Sequence, residues 1–202
     1  YDIVVEAAAD ADKYTVKTEN AKLTISEKTE QTGFAFTSSA TATYGQPLQL
    51  KATGGEGSGN VTYAITSGSE VAVLAENGTL TFKKSGTVEV KATKEADETY
   101  AEATATQTIT VGKATVTVTA TAKAIKVGAT VPSLASPVKD TDYTVTGLVG
   151  SDELTTVTMK YQKEGSDVTP AAAGEYDIVV EATADADKYT VKTENAKLTV
   201  KP

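Results

Sequence analysis

Residues 1–26 read YDIVVEAAADADKYTVKTENAKLTIS, and residues 176–201 read YDIVVEATADADKYTVKTENAKLTVK. The two stretches differ only at Ala8/Thr183, Ile25/Val200 and Ser26/Lys201. In each copy YDIVVEA alternates, setting Tyr176, Ile178 and Val180 on one face and Asp177, Val179 and Glu181 on the other. That period of two is the mark of a strand with one buried face. An acidic connection, ADADKY, leads to a second extended run. The same pair of strands is therefore written twice, 175 residues apart. Repetition at a fixed period marks a tandem array built along one dimension. The chain reads as a slice through that array. An orphan two-strand segment (1–26) closes one unit, and two whole units follow, 27–112 and 113–202.

Working outward, the first whole unit is a series of short alternating runs. They are GFAFTS (33–38), PLQLKA (47–52), VTYAI (61–65), VAVL (71–74), TLTF (79–82), TVEVKA (87–92) and TATQTITV (104–111). Turn signals separate them: Tyr44-Gly45-Gln46-Pro47, the Gly-rich 54–60, Asn77-Gly78 and Ser85-Gly86. Asn77-Gly78 is the strongest hairpin signal among them. About seven short strands at this spacing predict an Ig-like β-sandwich. In the second unit, 113–122, 142–148, 155–161, 175–182 and 189–200 alternate. The stretch 126–140 holds Pro132 and Pro137 and is expected to leave the ladder, because proline donates no backbone hydrogen bond. No helix is expected. The fold class is all-β, with tandem Ig-like sandwiches and a β-grasp-like arrangement as the alternative for the second unit.

Composition agrees with strands. Thr occurs 36 times, and Val and Ala supply most of the apolar residues. Thr and Val are β-branched and stiff at χ1, which favours strand over helix. The chain has no Cys, His, Trp or Arg, and all 19 basic residues are Lys. Without His the usual proton shuttle at neutral pH is missing. Without Cys or His, zinc and soft-metal sites are disfavoured. A net charge of −8 argues against nucleic acid and against anionic membrane surfaces. No apolar run approaches the roughly 20 residues that span a bilayer. No catalytic residue, cofactor or enzyme activity is expected.

Two families resemble these units. Residues 27–112 resemble bacterial Ig-like (Big-type) repeats through TATYGQPLQLKAT, GNVTYAITSG, NGTLTFKKSGTVEVKAT and ETYAEATATQTITV. Residues 113–202 resemble MBG-type repeats of bacterial adhesins through KATVTVTATAKAIKVGATVP, DYTVTGLVGSDEL, AAAGEYDIVVEA and KYTVKTENAKLTV. Many MBG-type repeats carry a Tyr-Gly pair after the first strand, where this chain has Ile125-Lys126-Val127-Gly128. The resemblance implies a structural stalk on the outside of a bacterial cell, at its surface or wall. Its partners would be neighbouring repeats and an unnamed host surface ligand. Strands of seven to ten residues span roughly 25–33 Å, so two stacked units would reach on the order of 70 Å.

Five sets of residues invite a functional reading. Asp10/Asp12 and Asp185/Asp187 are carboxylates at i and i+2, a spacing that can share one Ca²⁺. Lys13 and Lys188 stand beside them and would compete with a cation, so a solvated connection is the plainer reading. Lys113, Asn195 and Glu181 are the residue types of the intramolecular isopeptide bond found in some Gram-positive adhesins, although the alternation turns Glu181 to solvent. Tyr100 and Tyr189 stand at matching places before each unit's last strand. Each is expected to pack its ring on the core and hydrogen-bond a backbone group, like a tyrosine corner. The orphan strands 1–26 carry an apolar face without their own domain, so homotypic strand exchange is a candidate partner mode. The loop tips 54–60 and 126–140 are the candidate places for a host glycan or glycoprotein.

Overall fold

The computed structural model describes residues 1–8, 17–22 and 26–202. The candidates Asp10 and Asp12 lie outside the described residues. Among those described every regular element is a strand, and no helix is long and apolar enough to cross a membrane.

The first strands, β1 (Asp2–Ile3) and β2 (Ala21–Lys22), pair antiparallel. The next nine strands are β3 (Ala35–Phe36), β4 (Thr41–Thr43), β5 (Leu48–Gln49), β6 (Ala52–Thr53), β7 (Val61–Ser67), β8 (Ala72–Leu74), β9 (Thr79–Phe82), β10 (Gly86–Lys94) and β11 (Ala103–Gly112). They form a sheet ordered β4-β11-β10-β7, a second ordered β5-β9-β8, and the short pair β3-β6. Alternation decides what faces inward. Val88 and Val90 of β10, Ile109 and Val111 of β11, and Leu80 and Phe82 of β9 are buried in one core between the sheets. The strand β4 had no clear period-2 signal. It is held by parallel pairing with the end of β11, Thr43 opposite Gly112.

The second sandwich comprises β12 (Ala114–Ala120), β13 (Lys123–Lys126), β14 (Tyr143–Thr146), β15 (Thr156–Lys163), β16 (Ser166–Asp167), β17 (Gly174–Thr183), β18 (Tyr189–Glu194) and β19 (Ala196–Lys201). Its sheets are ordered β14-β12-β18 and β13-β19-β17-β15-β16. Val118, Met159, Tyr161, Ile178, Val180, Leu198 and Val200 fill the space between them. With two facing sheets and no helix among the described residues, the second unit is a sandwich and not β-grasp-like.

The run 189–200, expected as one strand, is two strands in opposite sheets. The run 113–122 likewise stops at Ala120, and the chain re-enters the other sheet at Lys123. Both changes happen at one level. β12 runs parallel to β18 up to Thr119 opposite Glu194, and β13 runs parallel to β19 from Lys123 opposite Leu198. Asn195 marks the crossing, where its Oδ1 accepts the Val180 N–H at 3.1 Å. The excursion after Lys126 stays out of the ladders apart from a bridge between Lys139 and Tyr143. It is pinned by buried Asp142, which accepts the Val138 N–H and pairs with Lys123 at 2.8 Å.

Candidate functional site at the junction of the sandwiches

Only Lys113 separates β11 from β12, and both flanks of this link are tied. The Tyr44 N–H donates to the Gly112 carbonyl at 2.9 Å, and the Ala114 N–H donates to the Lys188 carbonyl at 2.9 Å. A turn from each sandwich then meets across the link. The first sandwich offers Tyr44, which follows β4, and the second offers Tyr189, which opens β18. Both rings are buried and stand edge to face, with centroids 5.5 Å apart and planes at 86°. That is a favoured aromatic geometry, because the positive ring edge meets the negative face.

Asp152 closes the arrangement. Both phenol hydroxyls donate to its Oδ2, each at 2.8 Å. Lys188 Nζ lies 3.2 Å from its Oδ1 and 5.4 Å from the centre of the Tyr44 ring. The Tyr189 hydroxyl also accepts the Val149 N–H at 2.8 Å, so it is used as donor and acceptor. On the other side of the joint, the Ser85 N–H and Oγ both donate to the Asp187 carbonyl, at 2.8 and 2.6 Å. Gly45 has φ of 84°, and a Cβ there would collide with the Val149 side chain, so close approach requires glycine. Beneath the polar groups the apolar core is continuous. Tyr44, Ala114, Val116 and Tyr189 belong to the same buried cluster as Leu80 and Ile109.

The charges are arranged to sustain one another. The hydrogen bond from Tyr44 holds the Asp152 carboxyl below its usual range, helped by Tyr189 and Lys188. The hydrogen bond to Asp152 pushes the Lys188 ammonium up. Burial raises both phenols, and Tyr189 is pushed up from 10.0 to about 12. A raised folded pKa contributes stability that is complete below the unfolded pKa and is lost as pH rises through the folded one. Denaturant unfolding should therefore show stability falling between pH 10 and about 12, by about 2 kcal/mol for this one group. Tyr189→Phe should remove that part of the slope. An unchanged slope in Tyr189→Phe would contradict the arrangement.

Tyr189 packs on the core and accepts a backbone N–H. Tyr100 does not do the same. It is half-buried, and its place is set by backbone contacts: a bridge to Thr29, and its N–H donating to Asp97 Oδ1 at 2.7 Å. Asp185 shapes the turn before Tyr189. Its Oδ1 accepts the Asp187 N–H, and its carbonyl accepts the N–H groups of Lys188 and Tyr189. Asp187 serves Ser85 through its carbonyl. Among the described residues no group of three or more carboxylates is placed together for a metal. Lys113 and Asn195 are not brought together. Lys113 precedes Ala114, which pairs with Tyr189, while Asn195 follows Glu194, which pairs with Thr119. Six residues of strand, about 20 Å, lie between these levels. Glu181 is 69% exposed and lies 3.9 Å from Lys160. The loop tip 54–60 is tied down by Asp97, whose Oδ2 accepts the Ser58 N–H at 2.7 Å.

Sequence reasoning missed Tyr44 and Asp152, and it read Lys188 only as a rival to a cation. Tyr44-Gly45-Gln46-Pro47 announces a turn but not its partner, which lies 108 residues away.

The architecture is that of a β-sandwich repeat protein. Residues 116–199 match the MBG domain (YGX type) family. No curated protein matches the chain. Among solved structures, the chain is similar to Drosophila N-cadherin EC1-3, at 15% identity over 86% of this chain and 67% of that one, TM-score 0.27. It is also similar to the fibronectin(III)-like modules of Clostridium thermocellum CbhA, at 16% identity over 80% and 88%, TM-score 0.25. A third similarity is to the three N-terminal domains of the bacteriophage RB49 Hoc capsid protein, at 15% over 82% and 68%, TM-score 0.29.

Proposed function

We propose that this chain is a structural, non-catalytic repeat in the stalk of a bacterial cell-surface adhesin, outside the cell. The observation that carries the reading is the junction. A one-residue link, a shared apolar core and a carboxylate that accepts hydroxyls from both sandwiches turn two modules into one stiff segment. A stalk needs stiff segments, because flexible links shorten the reach of a chain. The MBG match over 116–199 and the recurrence at 175 residues support the same role. Neighbouring repeats are then the principal partners.

A second reading is a binding module for a host glycan or glycoprotein. It is favoured by a groove of about 540 Å³ lined by Pro137, Lys139, Tyr143, Val145 and Leu154. Two of these residues come from the 126–140 excursion, and Tyr143 supplies a ring for stacking. Protease treatment of intact cells of the producing bacterium tests the stalk. Peptides from 27–202 should be released before the cells lyse. Release only after lysis would overturn the surface assignment. Saturable binding of the chain to a glycan array, lost in Tyr143→Ala, would favour the second reading.

A further inference from the structure

Sheet edges present unpaired backbone groups, and natural sheets guard them with short strands, charge or irregularity. Within the two sandwiches the edge strands follow that rule with one exception. β3, β4, β5, β6, β8 and β16 are two or three residues long. β13 and β14 have four residues, and Lys123 and Lys126 close the two ends of β13. β18 carries Lys192 and Glu194. The exception is β7, which lies mid-unit between β6 and β8 in sequence and at the edge of the sheet β4-β11-β10-β7. It has seven residues, VTYAITS, with no charge and no proline. A bulge interrupts its pairing with β10 between Ile65 and Ser67, whereas Val61 to Ile65 pair in unbroken register.

The register decides which backbone groups are bare. The Glu95 N–H donates to the Asn60 carbonyl at 2.9 Å. Asn60, Thr62 and Ala64 therefore turn their backbone groups towards β10, and Val61, Tyr63 and Ile65 turn theirs away. Among the described residues no strand or loop bonds these three on the outer side. We propose that this edge pairs with the β7 edge of a second copy of the chain, antiparallel across a two-fold axis at Tyr63. In that register Tyr63 meets its own counterpart and Val61 meets Ile65 of the second copy, and their bare N–H and C=O groups bond in narrow pairs. The strand is complementary to itself, which is why the occupant is a second copy. Val61, Tyr63 and Ile65 share one face, and the two-fold axis sets apolar side chains against apolar ones. Val61 is 37% exposed at a groove of about 360 Å³ lined also by Tyr63, Leu74 and Asn77, and Ile65 of the second copy covers it. On the outer face Thr62 meets Ala64, so no like charges oppose each other. One strand edge buries less than a standard interface, so the contact is weak, with a Kd on the order of 1 mM. Copies anchored side by side reach such local concentrations. A lateral contact between stalks rests on the stalk reading, whereas the pairing itself does not.

Sedimentation equilibrium of the full chain between about 0.05 and 2 mM brackets that affinity. The native mass should rise towards the dimer, and Ala64→Lys should hold it at the monomer by placing a charge on the exposed face of the edge. Thr62→Lys repeats the test at the neighbouring exposed position, and circular dichroism verifies that each variant is folded. The chain has no cysteine, so the register can be read by crosslinking. An equal mixture of Thr62→Cys and Ala64→Cys chains is oxidised in a glutathione buffer, and peptide mapping locates the disulfides. Directly opposite residues of a wide pair have Cα atoms about 4.5 Å apart, within disulfide reach, whereas 62–62 and 64–64 lie on diagonals of about 7–8 Å. The 62–64 link should therefore exceed the same-residue links by about tenfold. A native chain that stays monomeric throughout would leave this edge to a strand of a different protein and overturn the pairing of copies. Association that both lysine variants keep, or a 62–64 link no commoner than the same-residue links, would overturn it too. Each of these outcomes leaves the stalk reading untouched, because exposure at the cell surface does not depend on pairing.

Discussion

Asp152→Ala should lower the stability of the joined sandwiches by about 3 kcal/mol and split one unfolding transition into two. Three donors converge on this carboxylate, from Tyr44, Tyr189 and Lys188. A hydrogen bond to a charged group is worth about 1.5–3 kcal/mol. Asp152 and Lys188 keep 24% and 26% side-chain exposure, so solvent screening reduces the Lys188 contribution. The two phenols sit in the buried core, and their loss counts nearly in full. Tyr189 would still accept the Val149 N–H, whereas Tyr44 would keep only the Lys188 ammonium beside its hydroxyl. Asp152→Asn keeps an acceptor oxygen but not the charge, and should recover about half of the loss. Urea unfolding followed by tyrosine fluorescence measures all three. A loss below about 0.5 kcal/mol, the size of an ordinary surface substitution, would show that the apolar contact alone couples the sandwiches.

Ile178→Ala and Ile3→Ala make the same chemical change in the same seven-residue sequence, yet their effects should differ greatly. Ile178 is completely buried among residues such as Leu198 and Met159. Its truncation should cost about 2–5 kcal/mol, combining lost burial with a cavity that the sheets cannot fill. Ile3 is 47% exposed, and its truncation should stay within about 0.5 kcal/mol. Thermal melting of the two variants checks the contrast. Equal losses would mean that Ile3 is as well covered in solution as Ile178.

Much of the fold was legible because period-2 alternation is a direct consequence of a pleated strand with one wet face. TLTF became β9 with Leu80 and Phe82 buried, and TVEVKA became the centre of β10 with Val88 and Val90 inside. The sheet changes at 120–123 and at Asn195 were not legible. Alternation continues through both, and only three-dimensional pairing shows that the strand has moved to the other sheet. The matching grammar around Tyr100 and Tyr189 misled for a related reason. Local sequence places a tyrosine before each last strand, but what covers it depends on distant elements. Tyr189 meets the first sandwich, and Tyr100 bridges to Thr29 near the other end of that sandwich. The junction itself was hidden because Tyr44, Asp152 and Lys188 are ordinary turn and surface residues until folding joins them.

If the junction stiffens the stalk as proposed, the two sandwiches move as one body. Spin labels attached at Glu76→Cys and Glu181→Cys, both exposed positions on different sandwiches, report the distance between them by pulsed dipolar resonance. A single narrow distance distribution is expected in the otherwise native chain, and a broad one once Asp152→Ala is added. A broad distribution in the native background, or a narrow one that Asp152→Ala leaves unchanged, would contradict it.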